Sequence, residues 1–172
     1  MKKFLTIIII LWIDLLHSEN LNQAKIHLRG LGNLRIGQSI KEIQKKYQIS
    51  SNQSVVENDC IFYNIKGLDN VDLMFTGSSK TSLKLTRIYI SNTKLSTISN
   101  IGIGDSLEKA KSTYKGKIKE EREHYNNTIR YIFIPSDSQD KNYGIIFDSD
   151  DEKITSISVG QYPELHLVEG CS

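Results

Sequence analysis

The sequence predicts an α+β fold: a tandem repeat in which a helix is followed by a three-stranded antiparallel meander, the two copies forming one compact body. Three observations lead there. The stretch Ile36-Gly37-Gln38-Ser39-Ile40 through Tyr47 returns 67 residues later as Ile103-Gly104-Asp105-Ser106-Leu107 through Tyr114, with isoleucine, glycine, serine and tyrosine in register. Both copies carry an apolar stripe at i, i+3 and i+7, made by Ile40, Ile43 and Tyr47 and by Leu107, Ala110 and Tyr114. After each stripe the period shortens to β-rich runs.

The helices come first in each copy. Ser39 stands three residues before Glu42, and Asp105 three before Glu108, the spacing at which a cap oxygen and a returning carboxylate satisfy free backbone N–H groups. Gly37 and Gly104 precede these starts and let an extended chain turn sharply into a helix. Neither copy has the further glycines or the lysine of a phosphate loop, so Ser39 and Ser106 are read as helix-start residues. The strands follow as 60–65, 71–75 and 83–90 in the first copy, and 129–134, 143–147 and 154–159 in the second. Turn-forming residues at 66–70, 76–79, 135–142 and 148–152 separate them, so consecutive strands are expected to pair antiparallel.

Ahead of the repeat, Met1-Lys2-Lys3 and the apolar run Phe4 to Ile13 have the form of a secretory signal, placed at residues 1–18. Asp14 stops the run short of the roughly 20 residues that span a bilayer, so no transmembrane span is expected in the mature chain. Ser18 is a tolerable small residue for cleavage, Leu16 is larger than processing prefers, and an uncleaved anchor is the alternative reading. The remaining 154 of 172 residues suit one domain, divided into a first unit at 19–96 and a second, with the C-terminal tail, at 97–172. Loss of Lys2, Lys3 and Asp14 takes the formal charge from +2 to +1, which gives no reason to expect nucleic acid. The lysines between Lys109 and Lys119 are flanked by Glu108, Glu120, Glu121 and Glu123 and read as a solvated helix face, with an acidic partner as the alternative.

Two cysteines exist, Cys60 and Cys171, and in an oxidising compartment they are expected to pair. Such a bond closes about 110 residues and contributes on the order of 4 kcal/mol in the chain-entropy model. His17, His27, His124 and His166 are too widely spaced to suggest zinc, and no cofactor is expected. The run Asp148-Ser149-Asp150-Asp151-Glu152 lacks the glycine and distant glutamate of a calcium loop and sits where a hairpin turn belongs. No serine lies in a nucleophile elbow. The sequons at Asn52 and Asn126 are read as chance.

Binding residues are sought on the sheet instead. Alternation places Tyr89 with Arg87 on an outward face if Ile88 and Ile90 face the helix. If Ile132 and Ile134 face inward, Tyr131 looks out, beside Arg130 in sequence but across the sheet from it. Tyrosine and arginine on an open sheet suit protein recognition, giving large contact area and hydrogen bonding, with ordinary exposed strand residues as the plainer reading.

The repeated Ile-Gly-x-Ser-apolar unit, carried by Gly37, Ser39, Gly104 and Ser106 in an exported chain, resembles the β-lactamase inhibitory protein architecture. It is also similar to the small outer-membrane assembly lipoproteins, although no cysteine near Ser18 could carry a lipid. The inhibitor resemblance implies a binding role for the loop around Asp69 and for outward tyrosines. The function expected is an exported, non-enzymatic protein-binding module, with an inhibitor of an extracellular or envelope enzyme as one form. The alternatives are a structural factor for envelope assembly or maintenance and a small hydrolase with dispersed carboxylates.

Overall fold

The structure is a computed structural model that describes residues 20–51, 59–79, 81–122, 129–150, 152–167 and 170–171. The expected signal segment and both sequons lie outside these residues. In chain order the elements are β1 (Lys25–His27), β2 (Gly30–Leu31), β3 (Leu34–Arg35), α1 (Ile40–Gln44), β4 (Ile49–Ser50), β5 (Cys60–Ile65), β6 (Val71–Thr76) and β7 (Lys84–Ile90). They continue with β8 (Ser96–Thr97), α2 (Leu107–Thr113), β9 (Ile118–Arg122), β10 (Ile129–Phe133), β11 (Tyr143–Asp150) and β12 (Lys153–Gln161).

The fold class therefore needs correction. Among the described residues twelve strands form two sheets, and the two α-helices have only five and seven residues, so the protein is mainly β rather than α+β. The main sheet is antiparallel with order β4-β5-β6-β7-β12-β11-β10-β9, and a small sheet has order β3-β2-β1-β8. Each half supplies four meander strands to the main sheet, not three. The added outer strands explain the difference: β4 has two residues, and β9, Ile-Lys-Glu-Glu-Arg, is too charged to show an apolar alternation. Strands β1, β2, β3 and β8 have two or three residues each, and β8 pairs in parallel with β1 across some 71 positions, a contact that no local pattern announces. The acidic run is likewise mostly strand, since β11 continues through Asp150.

Period-2 alternation fixes the two faces of the main sheet. On its inner face Tyr63, Leu73, Ile88, Val159, Ile145, Phe133 and Ile118 lie directly opposite one another across seven strands. All are apolar and belong to one core with Ile26, Leu31 and Leu34 of the small sheet and Ile43, Leu107 and Ala110 of the helices. The halves meet where β7 pairs with β12, from Ile90–Ile157 to Arg87–Gly160.

The two helix starts dock on the sheet alike. Gly37 N–H donates to Leu85 O at 2.7 Å and Gly104 N–H to Ile154 O at 2.8 Å. In return Leu85 N–H donates to Gln38 O at 2.8 Å and Ile154 N–H to Asp105 O at 2.9 Å. Both glycines have φ near +90°, at +93° and +87°, which explains why a glycine stands at each. Ser39 caps α1 in a full capping box with Glu42, as the spacing predicts. The second cap is corrected: Ser106, not Asp105, caps α2 and accepts from Lys109 N–H at 3.2 Å, while Glu108 stands in the first turn. Asp105 instead accepts from Gly102 N–H at 2.8 Å and pairs with Lys109 Nζ at 2.7 Å. Both cap serines also bridge to the sheet, Ser39 with Lys84 and Ser106 with Lys153.

The Glu42 carboxyl is held below its ordinary value of 4.5 by hydrogen bonds from the Ser39 hydroxyl and then the Ser39 N–H. A depressed folded-state pKa stabilises the fold above the unfolded value, and that contribution is lost as pH falls through the folded value. In Ser39→Ala, NMR titration is expected to show Glu42 moving up toward 4.5 and the acid limb of the stability curve flattening. An unmoved Glu42 titration would show that the capping box does not exist in solution.

Candidate binding site on the outer sheet face

The opposite face of the sheet carries a second cross-strand row: Ser50, Asn64, Asp72, Tyr89, Ser158, Ile146, Ile132 and Lys119, one from each of the eight strands. Directly opposed residues share a face, so this row records how the outer surface changes across the sheet. It is hydroxyl, amide and carboxylate over β4 to β6, aromatic at β7, and apolar over β11 and β10.

The apolar part is covered by the chain itself. Beyond β12 the cis Tyr162–Pro163 bond leads into a short 3₁₀ turn at Glu164–His166. Leu165 is fully buried with Ile132 and Ile146, and Tyr162 packs beside them. Space for this strap comes from Gly144 of β11. A Cβ on Gly144 would lie 2.5 Å from Tyr162 Oη and 2.8 Å from Leu165 Cδ2. Further along, Arg87 Nη1 donates to Leu167 O at 2.5 Å and to Glu164 O at 3.4 Å. Its guanidinium lies 3.9 Å above the Tyr89 ring, and Tyr89 packs against Phe62 at 5.7 Å between centroids. Gly170 sits on Phe62 and Tyr89, and Cys171 closes the strap through its disulfide with Cys60. Burial under this cover pushes the Tyr89 phenol up, against the opposing pull of Arg87.

Among the described residues no segment covers the polar part in this way. It forms a cleft of about 870 Å³ whose lining includes Ser50, Asn64, Asp69, Asn70, Asp72 and Ser91. The Asn64 amide donates to the Asp72 carboxylate, and the Asn92 amide holds the Asp69 loop through Asp69 O at 2.8 Å. Such a surface offers acceptors and donors on rigid strands, the chemistry that recognises another polar backbone or side chain.

Asp69, Arg87, Tyr89 and Arg130 share this side of the molecule, but in different roles. Asp69 lines the cleft, while Tyr89 marks its boundary with the strap. Arg87, expected to be outward and open, is 2% exposed because the strap lies over it. Arg130 is also buried; its Nε lies 3.6 Å from Asp148, whose other oxygen accepts from the Ser156 hydroxyl at 2.6 Å. Tyr131 is corrected outright: it lies on the inner face, opposite Phe147, with Lys111 Nζ 4.7 Å from its ring. The phase of β10 reads in reverse because Leu165 gives Ile132 an apolar neighbour on the outer side. Asn64 and Asp72 were missed, although each is a polar residue interrupting an apolar strand, the signal that marks an outer-face position.

Among the described residues no group of three or more His, Cys, Asp or Glu side chains is placed to hold a metal ion. Nor is any helix of the described residues long and apolar enough to cross a membrane. No family model and no curated protein matches the sequence. Among solved structures, the uncharacterized protein yfeY from Escherichia coli is similar, with 16% identity and a TM-score of 0.49 over 80% of this chain and 99% of that one.

Proposed function

We propose that the chain is an exported, non-enzymatic protein-binding module that recognises its partner with the polar corner of the sheet, where Ser50, Asn64, Asp69 and Asp72 line the cleft and Tyr89 stands opposite Asp72 on the next strand. The observation that carries this reading is the change of chemistry along one continuous face. Where the sheet is apolar, the protein covers itself; where it presents carboxylate, amide and hydroxyl groups, the described residues leave a cleft. Export is supported by the charged and apolar start of the sequence together with the Cys60–Cys171 disulfide, a bond that persists in oxidising compartments. An inhibitor of an extracellular or envelope enzyme is one form such a module takes.

Affinity capture from native envelope or culture medium tests the reading when the mature chain and its Asp69→Arg/Asp72→Arg variant are compared side by side. Reversing two charges at a recognition surface is expected to reduce recovery of a discrete partner by roughly tenfold or more at unchanged circular dichroism. Equal recovery by both proteins would remove the cleft as the binding site.

A further inference from the structure

The main sheet ends on β4 at one side and on β9 at the other, and among the described residues no strand pairs with the far side of either. The first edge has two residues and the second five. Backbone geometry says which groups the longer edge offers. Ile134 N–H donates to Lys117 O at 2.8 Å, so in the β9–β10 register the residues bonded to β10 are Lys117, Lys119 and Glu121. The N–H and C=O groups of Ile118, Glu120 and Arg122 therefore point away from β10, toward the open edge. Such an edge is a template for a further strand.

Charged side chains ordinarily guard an edge by setting like charge against like. In β9 the charges are ordered, as Ile118-Lys119-Glu120-Glu121-Arg122, and that order admits an antiparallel copy of itself. Centred on Glu120, such a copy pairs Ile118 with Arg122 and Glu120 with Glu120 through the outward backbone groups. Lys119 then stands opposite Glu121 on both sides of the centre, at the non-hydrogen-bonded positions where side chains come closest. Moving the centre to Lys119 sets Lys119 against itself, and moving it to Glu121 sets Glu121 against itself. One register is therefore favoured over its neighbours. Within it each Glu120 faces its own copy, but Lys111 Nζ already pairs with Glu120 at 2.5 Å, and Arg122 of the second copy lies on the diagonal. Within one chain Lys119 and His166 each meet Glu121 at 3.4 Å, exposed contacts that contribute little and that a cross-strand pair can share. Ile118, half-buried at the rim of the core, gains cover from the stem of the opposing Arg122.

We propose that β9 is a homodimerisation edge, through which two copies of this chain join antiparallel about a two-fold axis at Glu120 and continue the sheet from one molecule into the next. Two five-residue strands bury less than the roughly 1,200 Å² of a standard interface, so the dimer is weak, reversible and sensitive to salt. Opposed residues share a face, so the polar clefts over β4 to β6 lie at the two far ends of the joined sheet and open on the same side. The dimer stands on β9 alone and holds whether or not those clefts bind the partner proposed above.

Sedimentation velocity of the full mature chain, from micromolar to millimolar concentration, is expected to show reversible dimerisation that weakens as salt rises. Lys119→Glu and Glu121→Lys each set like charges across the edge and are expected to raise the dimer Kd by about tenfold or more at unchanged circular dichroism. The swap Lys119→Glu/Glu121→Lys is expected to bring Kd back to within about threefold of the parent chain. An equimolar mixture of the two single variants is expected to form mixed dimers, because each supplies the charges the other lacks. Amide exchange reads the register: Ile118, Glu120 and Arg122 slow as concentration rises, while β10 is unchanged. Glu120→Pro removes an outward N–H without touching a bond to β10 and is expected to abolish the dimer with β10 still protected. A chain that stays monomeric at millimolar concentration would overturn the proposal. So would a dimer that neither single substitution weakens, a folded swap variant or mixture that fails to associate, or a dimer in which exchange at Ile118, Glu120 and Arg122 is unaltered.

Discussion

Replacing Phe147 with alanine is expected to cost about 3–5 kcal/mol of folding stability and to lower the melting temperature by roughly 10–15 °C. Phe147 has no exposed surface and lies on the inner face between Tyr131 of β10 and Ile157 of β12. Its ring is 5.8 Å from that of Tyr114, the residue that ends α2, so one side chain ties helix, sheet centre and second half together. Truncation removes the transfer energy of the ring and leaves a cavity bounded by strand backbones that hydrogen bonds hold in place, so little collapse is available. Urea denaturation of the two proteins checks the figure; a loss below about 1 kcal/mol would mean that the inner face is not packed around this ring.

The second large effect is expected at the seam between the halves. In Gly160→Val the new Cβ would lie 2.5 Å from Thr86 O and 3.2 Å from Arg87 Cα, both backbone atoms of β7. Flexible side chains can step aside, but a carbonyl oxygen inside a ladder cannot move without breaking the β7–β12 pairing that joins the two four-stranded meanders. The cost is expected to reach about 3 kcal/mol, at the upper end for overpacking. Arg87 would shift with its strand, so the variant is also expected to loosen the strap, seen as faster amide exchange at residues 164–167 than at β5. Thermal denaturation with exchange mass spectrometry checks both parts. A stable variant with an undisturbed strap would show that Gly160 is not a close-approach position.

Much of the β structure was legible because its cause is local. In β5, β6, β7, β10, β11 and β12, β-branched and aromatic residues recur between turn-forming segments, and those six strands are found within a few residues of the expected spans. Ser39 and Glu42 were legible as a capping box for the same reason, since every partner lies within four residues. At the second helix two local signals disagreed: the spacing to Glu108 pointed to Asp105, whereas the register with Ser39 pointed to Ser106, which is the cap. Of the candidate site, the outer-face position of Tyr89 could be read from alternation, whereas Asp69 was named only through the inhibitor resemblance. Arg87 could not, because the carbonyls that cover it come from 77 and 80 residues further along the chain.

The amino-acid order by itself therefore determined where the six longer apolar strands and the two helix starts form and which cysteines are available to pair. These follow from backbone sterics, caps and side-chain alternation, all of which act over a few residues. Tertiary structure decided the fold class, the joining of two meanders into one eight-stranded sheet, and above all which outer-face residues stay open. The reason is physical: an outer-face side chain is buried or free according to what crosses it. Here the strap, whose described residues lie over the apolar end rather than over Ser50, Asn64 and Asp72, is placed by Leu165 above Gly144, by Arg87 and by a disulfide spanning 111 positions.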